Sequence, residues 1–306
     1  MSKRSNRQGG WRLGWLTSAA VSAAVVASAV SAKEFGEWSA PVSAESLQGS
    51  SSDLNTASND GCPILSPYDD ALYIASNRAG GQGGLDRWRA PRSGDGWGSP
   101  VNLGPRVNTA ADEFCPSPAR GNRLLFVRRL SPTNTDIYVV KNGPNGLGTP
   151  QSVGSGVNGS AEEWSPSWFE TESGNEVLYF SSTREGRQRI YYSVNWGPAQ
   201  LASGGVNSSA ADARPNVRHD GLEIVWDSTR TGSLSGSPDI WTSKRSSTDD
   251  PWEPAVHLGT PINSDATESR ASLSWDGTVL LFGSTRAGGE GSADVYRSTR
   301  SKLTGN

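Results

Sequence analysis

The chain has 306 residues, a formal net charge of −3, 36 glycines, 18 prolines and only two cysteines. At this length a folded chain can bury about three-quarters of the surface that it exposes when unfolded, so a large core is available. A mildly acidic chain lacks the clustered lysine and arginine that bind phosphate, which excludes nucleic acid and anionic lipid as expected partners.

The N-terminal segment has the composition of a secretory signal peptide. Four basic residues precede an uncharged, alanine- and valine-rich run over 16–30, and small residues at 30–32 suit cleavage. The alternative is a membrane anchor, but the run falls short of the roughly 20 apolar residues that a spanning helix needs. We therefore expect residues 1–32 to be removed, leaving a secreted or periplasmic protein without a membrane span. Removal takes four basic and no acidic residues, so the net charge changes from −3 to −7.

The remaining residues, 33–306, repeat one unit about every 50 residues. Each unit contains an asparagine with an acid five positions later, then an apolar run and an Asp-x-aromatic motif. The asparagines are Asn55, Asn108, Asn158, Asn207 and Asn263, and the acids are Asp60, Glu113, Glu163, Asp212 and Glu268. A fixed period of this length with strand-like content is typical of a β-propeller with one copy per blade. We predict a single all-β domain, a five-bladed propeller of four-stranded blades.

The fifth unit shows how one blade is built. Residues 269–274 and 278–282 are predicted antiparallel strands joined at Asp276-Gly277, a two-residue hairpin signal. The third strand follows at Asp294, and the chain then ends without a fourth strand. An orphan fourth strand stands instead at the beginning, over 38–43. We predict that it pairs with the last strand and closes the ring, which removes two exposed sheet edges and favours a monomer.

The repeat resembles the WD-repeat-like, TolB-type β-propeller family of exported bacterial proteins. The matching residues run from Asn263-Ser264 through Glu268 and Trp275-Asp276-Gly277 to Arg286 and Asp294-Val295-Tyr296. The resemblance covers residues ~38 to 300 and implies a periplasmic or cell-surface interaction module without a catalytic residue set. We therefore expect a non-enzymatic binding or scaffold module, with a protein or glycan of the cell envelope or its surroundings as the partner.

The repeated acids are the first candidates for a ligand site. The first strand of a blade lies innermost, so its five acids would stand around one end of the channel. Such a ring of carboxylates could bind a central cation such as calcium, and we expect no other cofactor. The competing interpretation, which we favour, is structural ion pairing at the same end with the second-strand arginines and the third-strand acids. These are Arg78, Arg184, Arg230 and Arg286, and Asp86, Asp136, Asp239 and Asp294.

A carbohydrate-active enzyme is the alternative function. Five-bladed glycoside hydrolases use carboxylates in the central pocket as general acid and as base or nucleophile. Here the acid is doubled in two units, as Asp112-Glu113 and Glu162-Glu163, and Phe114 and Trp164 follow directly. In this alternative Glu113 and Glu163 are catalytic, and the two aromatic rings form a platform for a sugar. Otherwise both rings pack within the propeller.

The two cysteines occupy equivalent positions in neighbouring units. Cys62 and Cys115 each precede a proline. An exported protein can keep a disulfide, and equivalent positions near the axis can approach the required spacing. A Cys62–Cys115 disulfide and two buried free thiols are the alternatives.

Overall fold

The computed structural model describes residues 35–144 and 146–303. This part of the chain forms five small antiparallel sheets arranged as a five-bladed β-propeller, so the predicted fold class is confirmed. The predicted signal peptide lies outside the described residues. Within them, no helix has the length and apolar character of a membrane span.

Each blade runs outward from the channel, with its first strand innermost. After β1 (Val42–Ser43) and a single 3-10 turn (Ala44–Ser46), the strands are as follows: blade one, β2 (Asp60–Ser66), β3 (Ala71–Ser76), β4 (Asp86–Ser93), β5 (Gly96–Trp97) and β6 (Val101–Asn102); blade two, β7 (Glu113–Ala119), β8 (Arg123–Ser131), β9 (Asn134–Gly143), β10 (Gly146–Leu147) and β11 (Gln151–Ser152); blade three, β12 (Glu163–Glu170), β13 (Glu176–Ser182), β14 (Arg189–Val194) and β15 (Gln200–Leu201); blade four, β16 (Asp212–Val217), β17 (Glu223–Ser228), β18 (Asp239–Lys244) and β19 (Val256–His257); blade five, β20 (Glu268–Leu273), β21 (Val279–Ser284) and β22 (Asp294–Thr299).

The ring closes in the predicted way, through the first strand. The inner strands β2, β7, β12, β16 and β20 contact one another in sequence, and β20 returns to β2. Strand β1 pairs antiparallel with β22, with Val42 opposite Arg297 and Ser43 opposite Tyr296. The Ser39 N–H also donates to the Thr299 carbonyl at 2.8 Å. Blade five is thus completed by the beginning of the described chain.

The repeated asparagine is the joint between blades. The Asn263 side chain accepts from the Ile240 N–H at 2.8 Å and donates to the Ile240 carbonyl at 2.9 Å, so it binds the third strand of the preceding blade. Asn55 makes the same pair of bonds with Val295, at 2.8 and 3.4 Å, across 240 residues. The other three joints are Asn108 with Arg87, Asn158 with Ile137, and Asn207 with Ile190. Satisfying buried backbone groups in this way explains one asparagine per unit.

The core lies between the faces of neighbouring blades. Strand β17 is buried along its whole length, which suits a strand covered on both sides. Trp226 of β17 packs in one cluster with Phe169 of blade three, and Val225 packs on the other side with Phe282 of blade five. The adjacent faces therefore hold the blades together by apolar contact.

A buried charge cluster joins blades four and five beneath the N-terminal segment. The Glu223 carboxylate accepts from Arg300 Nη1 and Nη2 at 2.9 and 2.6 Å, and from Arg218 Nη1 at 2.5 Å. The Arg300 guanidinium lies 3.8 Å from the centre of the Phe35 ring and 4.3 Å from that of Trp38. The segment that closes the ring therefore also covers this cluster.

Glu45, in the 3-10 turn that follows β1, is expected to make the stability of the fold depend on pH. The pKa of Glu45 is raised from 4.5 to about 7, because burial disfavours its charged form and because Glu290 and Asp294 add negative charge nearby. Between about pH 4.5 and about pH 7, Glu45 holds a proton in the folded chain that it has released in the unfolded chain. The stability that this proton contributes is fully present below pH 4.5 and is lost as the pH rises through about 7.

We expect the melting temperature of Glu45→Gln to depend less on pH than that of the natural sequence over this window, because the amide cannot ionise. Thermal unfolding at four pH values between 4 and 8 measures the difference. The control is Glu37→Gln, which changes an exposed carboxylate of the same segment. A slope unchanged by Glu45→Gln would contradict the assignment.

Candidate functional site

The five repeated acids are structural. Each has no exposed surface and bonds to the turn that precedes it. Glu268 accepts from the Ser264 N–H and hydroxyl at 2.9 and 2.6 Å, and from Arg286 at 3.1 Å. The other four sets are Asp60 with Thr56 and Arg78, Glu113 with Thr109 and Arg128, Glu163 with Gly159 and Arg184, and Asp212 with Ser208 and Arg230. All five carboxylates are engaged in these bonds and have no exposed surface, which favours the structural interpretation over the calcium ring and over catalysis by Glu113 and Glu163.

Blade two reaches the same arrangement through a different arginine. The sequence aligns Leu130 with Arg286, but Arg128 contacts Glu113 at 2.8 Å. In the strand pairing Arg128 stands opposite Glu113, at the position that Ser284 holds opposite Glu268, so the arginine comes from the preceding position on the same face of the strand. The available sequence signal was Arg128, an arginine two positions before the aligned Leu130.

The third-strand acids have another role than the one expected. Among the described residues, Asp86, Asp239 and Asp294 bind the loops beside their own strands instead of the arginines. Asp294 accepts from the Glu290 N–H at 2.8 Å, and Asp86 accepts from the Asn102 side chain at 3.0 Å. Asp239 contacts His257 at 2.7 Å. For Asp136, burial raises the pKa of the carboxyl group above its usual value. The first three of these acids, Asp86, Asp239 and Asp294, thus hold the loops at the strand ends.

Every inner strand carries a β-bulge that turns its third residue towards the channel. The five residues have left-handed φ, which is uncommon outside glycine and marks a special backbone position. We call them the channel ring: Cys62 (φ 49°), Cys115 (47°), Ser165 (51°), Arg214 (53°) and Arg270 (56°). They line one recess of about 300 Å³, which includes space open to solvent.

The channel ring differs in chemistry around its circumference. Cys62 and Cys115 form a disulfide between blades one and two, with their Cα atoms 4.8 Å apart. The Ser165 hydroxyl lies 3.1 Å from the Cys115 sulfur. Blades four and five contribute the two arginines. The ring therefore has an uncharged side and a cationic side.

Blades two and three carry a cluster that the other blades lack. The position before the buried acid is Asn59, Asp112, Glu162, Ala211 or Thr267, and the position after it is Gly61, Phe114, Trp164, Ala213 or Ser269. Carboxylates and aromatic rings thus coincide in the same two blades. Arg129 joins them: its Nε lies 2.9 Å from Asp112 Oδ2 and its Nη1 lies 3.5 Å from Glu162 Oε1. Asp112, Phe114, Arg129, Glu162 and Trp164 form what we call the mouth cluster.

The two carboxylates of the mouth cluster are held in place and remain accessible. The side chains of Asp112 and Glu162 are 30% and 22% exposed, whereas Glu113 and Glu163 beside them have no exposed surface. Asp112 also accepts from the Leu85 N–H at 2.9 Å. A Cβ at position 84 would lie 2.1 Å from Asp112 Oδ1, so only glycine leaves room for this carboxylate.

An indole lies directly beside these carboxylates. The rings of Phe114 and Trp164 meet edge to face with centres 6.0 Å apart, Phe114 being buried and Trp164 partly exposed. An exposed aromatic face suits the apolar side of a sugar, while two carboxylates can transfer a proton and activate water or attack. The sequence pointed to the doubled acids, and the structure buries Glu113 and Glu163 while it leaves Asp112 and Glu162 partly exposed. Glu113 and Glu163 keep the phase of the repeat, whereas Asp112 and Glu162 depart from the residues of the other units.

The opposite end of the channel has a different character. A recess of about 450 Å³ there is lined by Trp168, Tyr68, His219 and Trp275 among mainly apolar residues, and none of its lining residues is a carboxylate. The exposed Trp275 lies 3.9 Å from His219 and 5.3 Å from Tyr68, between ring centres. Among the residues that the structure describes, no three histidine, cysteine or acidic side chains are grouped to hold a metal ion. Paired carboxylates beside an aromatic ring thus distinguish the mouth cluster.

Comparison with known proteins gives likenesses of structure alone. No family model and no curated protein matches the chain. A thermostable family-43 glycoside hydrolase matches with a TM-score of 0.56 at 14% identity, covering 81% of this chain and 91% of that one. An α-L-arabinofuranosidase from Lactobacillus brevis matches with 0.53 at 11% identity, covering 79% and 90%. A TolB candidate from Agrobacterium tumefaciens matches with 0.48 at 17% identity, covering 76% and 72%.

These likenesses support the five-bladed fold and correct two expectations. Membership of the TolB-type family is not supported, since no family model matches and a TM-score of 0.48 is too low to show it. The prediction of a non-enzymatic binding or scaffold module, preferred above over an enzyme, is wrong. Most of the similar solved structures are glycoside hydrolases, which favours the carbohydrate-active alternative.

Proposed function

We propose that this protein is an enzyme that hydrolyses glycosidic bonds at the mouth cluster, with Asp112 and Glu162 as the carboxylate pair. One observation carries the proposal: accessible carboxylates and adjacent aromatic rings occur together at the repeat positions of blades two and three, and not at those of the other blades. Catalysis requires such asymmetry, because one carboxylate must differ from the rest. The likeness in fold to glycoside hydrolases supports it. The signal-like N-terminus supports a secreted or periplasmic enzyme acting on a glycan of the envelope or its surroundings.

The contacts of the two carboxylates suggest different roles. Both oxygens of Asp112 accept hydrogen bonds, from the Leu85 N–H and from Arg129 Nε. A carboxylate fixed in this way suits the base that positions water, or the nucleophile. Glu162 contacts Arg129 at 3.5 Å and is freer to approach the leaving oxygen. We therefore assign Glu162 as the general acid and Trp164 as the surface that holds the sugar ring.

The test is hydrolysis of a broad panel of polysaccharides and aryl glycosides. We expect Asp112→Asn and Glu162→Gln each to reduce turnover about 100-fold or more, the usual contribution of a positioned acid or base. Their melting temperatures should stay close to that of the natural sequence, because both side chains are partly exposed and surface ion pairs contribute little.

Asp69→Asn is the matched control. Asp69 forms an ion pair with Arg89 at 2.7 Å, with side-chain exposures of 34% and 35% that resemble those of Asp112 and Arg129. It stands at a first hairpin, at the other end of the channel, so turnover should not change. Absence of hydrolysis across the panel, or full turnover in both mouth-cluster variants, would refute the proposed function.

A further inference from the structure

The cationic side of the channel ring carries more positive charge than its counterion neutralises. Asp227 lies below Arg214 and Arg270 and is almost fully buried. One of its oxygens accepts from Arg214 Nη1 at 2.5 Å, and the other accepts from the backbone N–H of Arg270 at 3.0 Å. The Arg270 guanidinium forms no ion pair with a described residue, and its buried Nε has no hydrogen-bond partner among them.

Burial of this unpaired cation affects its ionisation. The pKa of Arg270 is lowered to about 10, first because burial disfavours the charged form and then because Arg214 is close. Arg270 therefore still carries its charge at neutral pH. The channel therefore holds two guanidinium groups against one carboxylate, which leaves a place for an anion.

The cationic side of the ring continues directly from the mouth cluster. The Arg214 guanidinium lies 4.9 Å from the centre of a Trp164 ring. On its other flank, Arg270 lies against blade one, where a Cβ at Gly61 would be 2.9 Å from Arg270 Nη1. Trp164 Nε1 is a further buried donor without a partner among the described residues. The two groups without a partner here, Arg270 Nε and Trp164 Nε1, are thus both hydrogen-bond donors. They lie beside the surface assigned to the sugar ring.

We propose that Arg214 and Arg270 form an anion subsite and that the substrate is an acidic glycan, whose sugar at Trp164 carries a carboxylate or a sulfate. This inference rests on the proposed function for its sugar, while the anion subsite itself rests on the channel ring. Guanidinium groups bind carboxylates and sulfate-like anions with paired, charge-assisted hydrogen bonds. A neutral sugar would leave the charge of Arg270 without a counterion.

Calorimetric titration of the whole protein tests the subsite. The probes are glucuronate, galacturonate, glucose 6-sulfate, glucose and galactose. We expect at least one anionic sugar to bind 10-fold or more tightly than its neutral counterpart, with an affinity that falls as salt is added. The preference between glucuronate and glucose 6-sulfate identifies which anion the subsite takes. Equal affinity for charged and neutral sugars would overturn the inference.

Arg270→Gln and Arg214→Gln should each weaken the binding of the anionic sugar about 10-fold or more, since each removes one charged partner. Arg89→Gln, at the other end of the channel, should leave it unchanged. If Arg214→Gln or Arg270→Gln fails to fold, the natural protein still tests the subsite. Its affinities for charged and neutral sugars, and their dependence on salt, then decide whether the subsite exists. Unchanged affinity in both folded ring variants would also refute the subsite.

The two proposals can fail separately. Hydrolysis of neutral glycans without preference for acidic ones would remove the anion subsite and keep the proposed function. Arginine-dependent binding of an anionic sugar, without hydrolysis of any glycan, would keep the subsite and remove the enzymatic function.

Discussion

A chain that begins at Ala44 is expected to lose the closed ring and its cooperative unfolding transition. It lacks β1, the bonds between Ser39 and Thr299, and the aromatic cover of the Glu223 cluster by Phe35 and Trp38. The edge of β22 is then unpaired, which invites association with other chains. Folded domains are stable by only about 5–15 kcal/mol, so the loss of a strand and of its buried contacts can consume most of that margin.

Addition of the missing segment as a separate peptide provides the sharp test. A peptide of residues 33–43 should bind the shortened protein by strand addition and restore a single thermal transition. A peptide of the same composition in scrambled order is the control. Size-exclusion chromatography should show association of the shortened protein without peptide and a monomer with it. If the shortened protein melts like the whole chain, closure by β1 does not stabilise the ring.

The second large effect is expected from Glu223→Gln. Removal of one partner from a buried ion pair costs about 3–5 kcal/mol, because the remaining charge stays buried without compensation. Here the Arg300 guanidinium, only 5% exposed, would be left without a carboxylate partner, whereas Arg218 keeps its ion pair with Asp220 at 2.9 Å. We therefore expect the free energy of unfolding to fall by about this amount.

Urea unfolding of Glu223→Gln measures the effect. Glu176→Gln is the comparison, because the ion pair between Glu176 and Arg123 is about a quarter exposed on both sides. The change there should stay near 1 kcal/mol or below, as for other solvent-accessible pairs. An equal change in both variants would mean that the cluster beneath the N-terminal segment is not a special stabilising feature.

The fold could be predicted because each unit repeats the residues that join it to its neighbours. Asn263 binds the backbone of the preceding blade, and Glu268 fixes the turn before its own inner strand. Both roles depend on position alone, so they recur at a fixed period and reveal the number of blades. The closing pair of β1 and β22 followed from counting strands, since one unit began before the first full blade.

The candidate site was harder to predict, because it depends on departures from the repeat. Asp112 and Glu162 stand beside acids that keep the period, and sequence alone does not tell which member of each pair is buried. The sequence placed Cys62 and Cys115 at equivalent positions near the axis but did not reveal the full channel ring, since residues before proline such as Cys62 and Arg214 normally adopt extended backbone. Their left-handed φ arises from bulges imposed where five inner strands converge.

The joint between Asn55 and Val295 has the same form as the four joints within the chain. The bridge between Phe35 and Lys302 also holds the two ends of the described chain next to each other. The ring is therefore joined between blades five and one in the same way as between any other two blades. Circular permutation is therefore open to this architecture: the two ends of the described chain can be linked, and new ends opened at another loop. A break on the far side from blades two and three would leave Asp112 and Glu162 on an uninterrupted stretch of polypeptide.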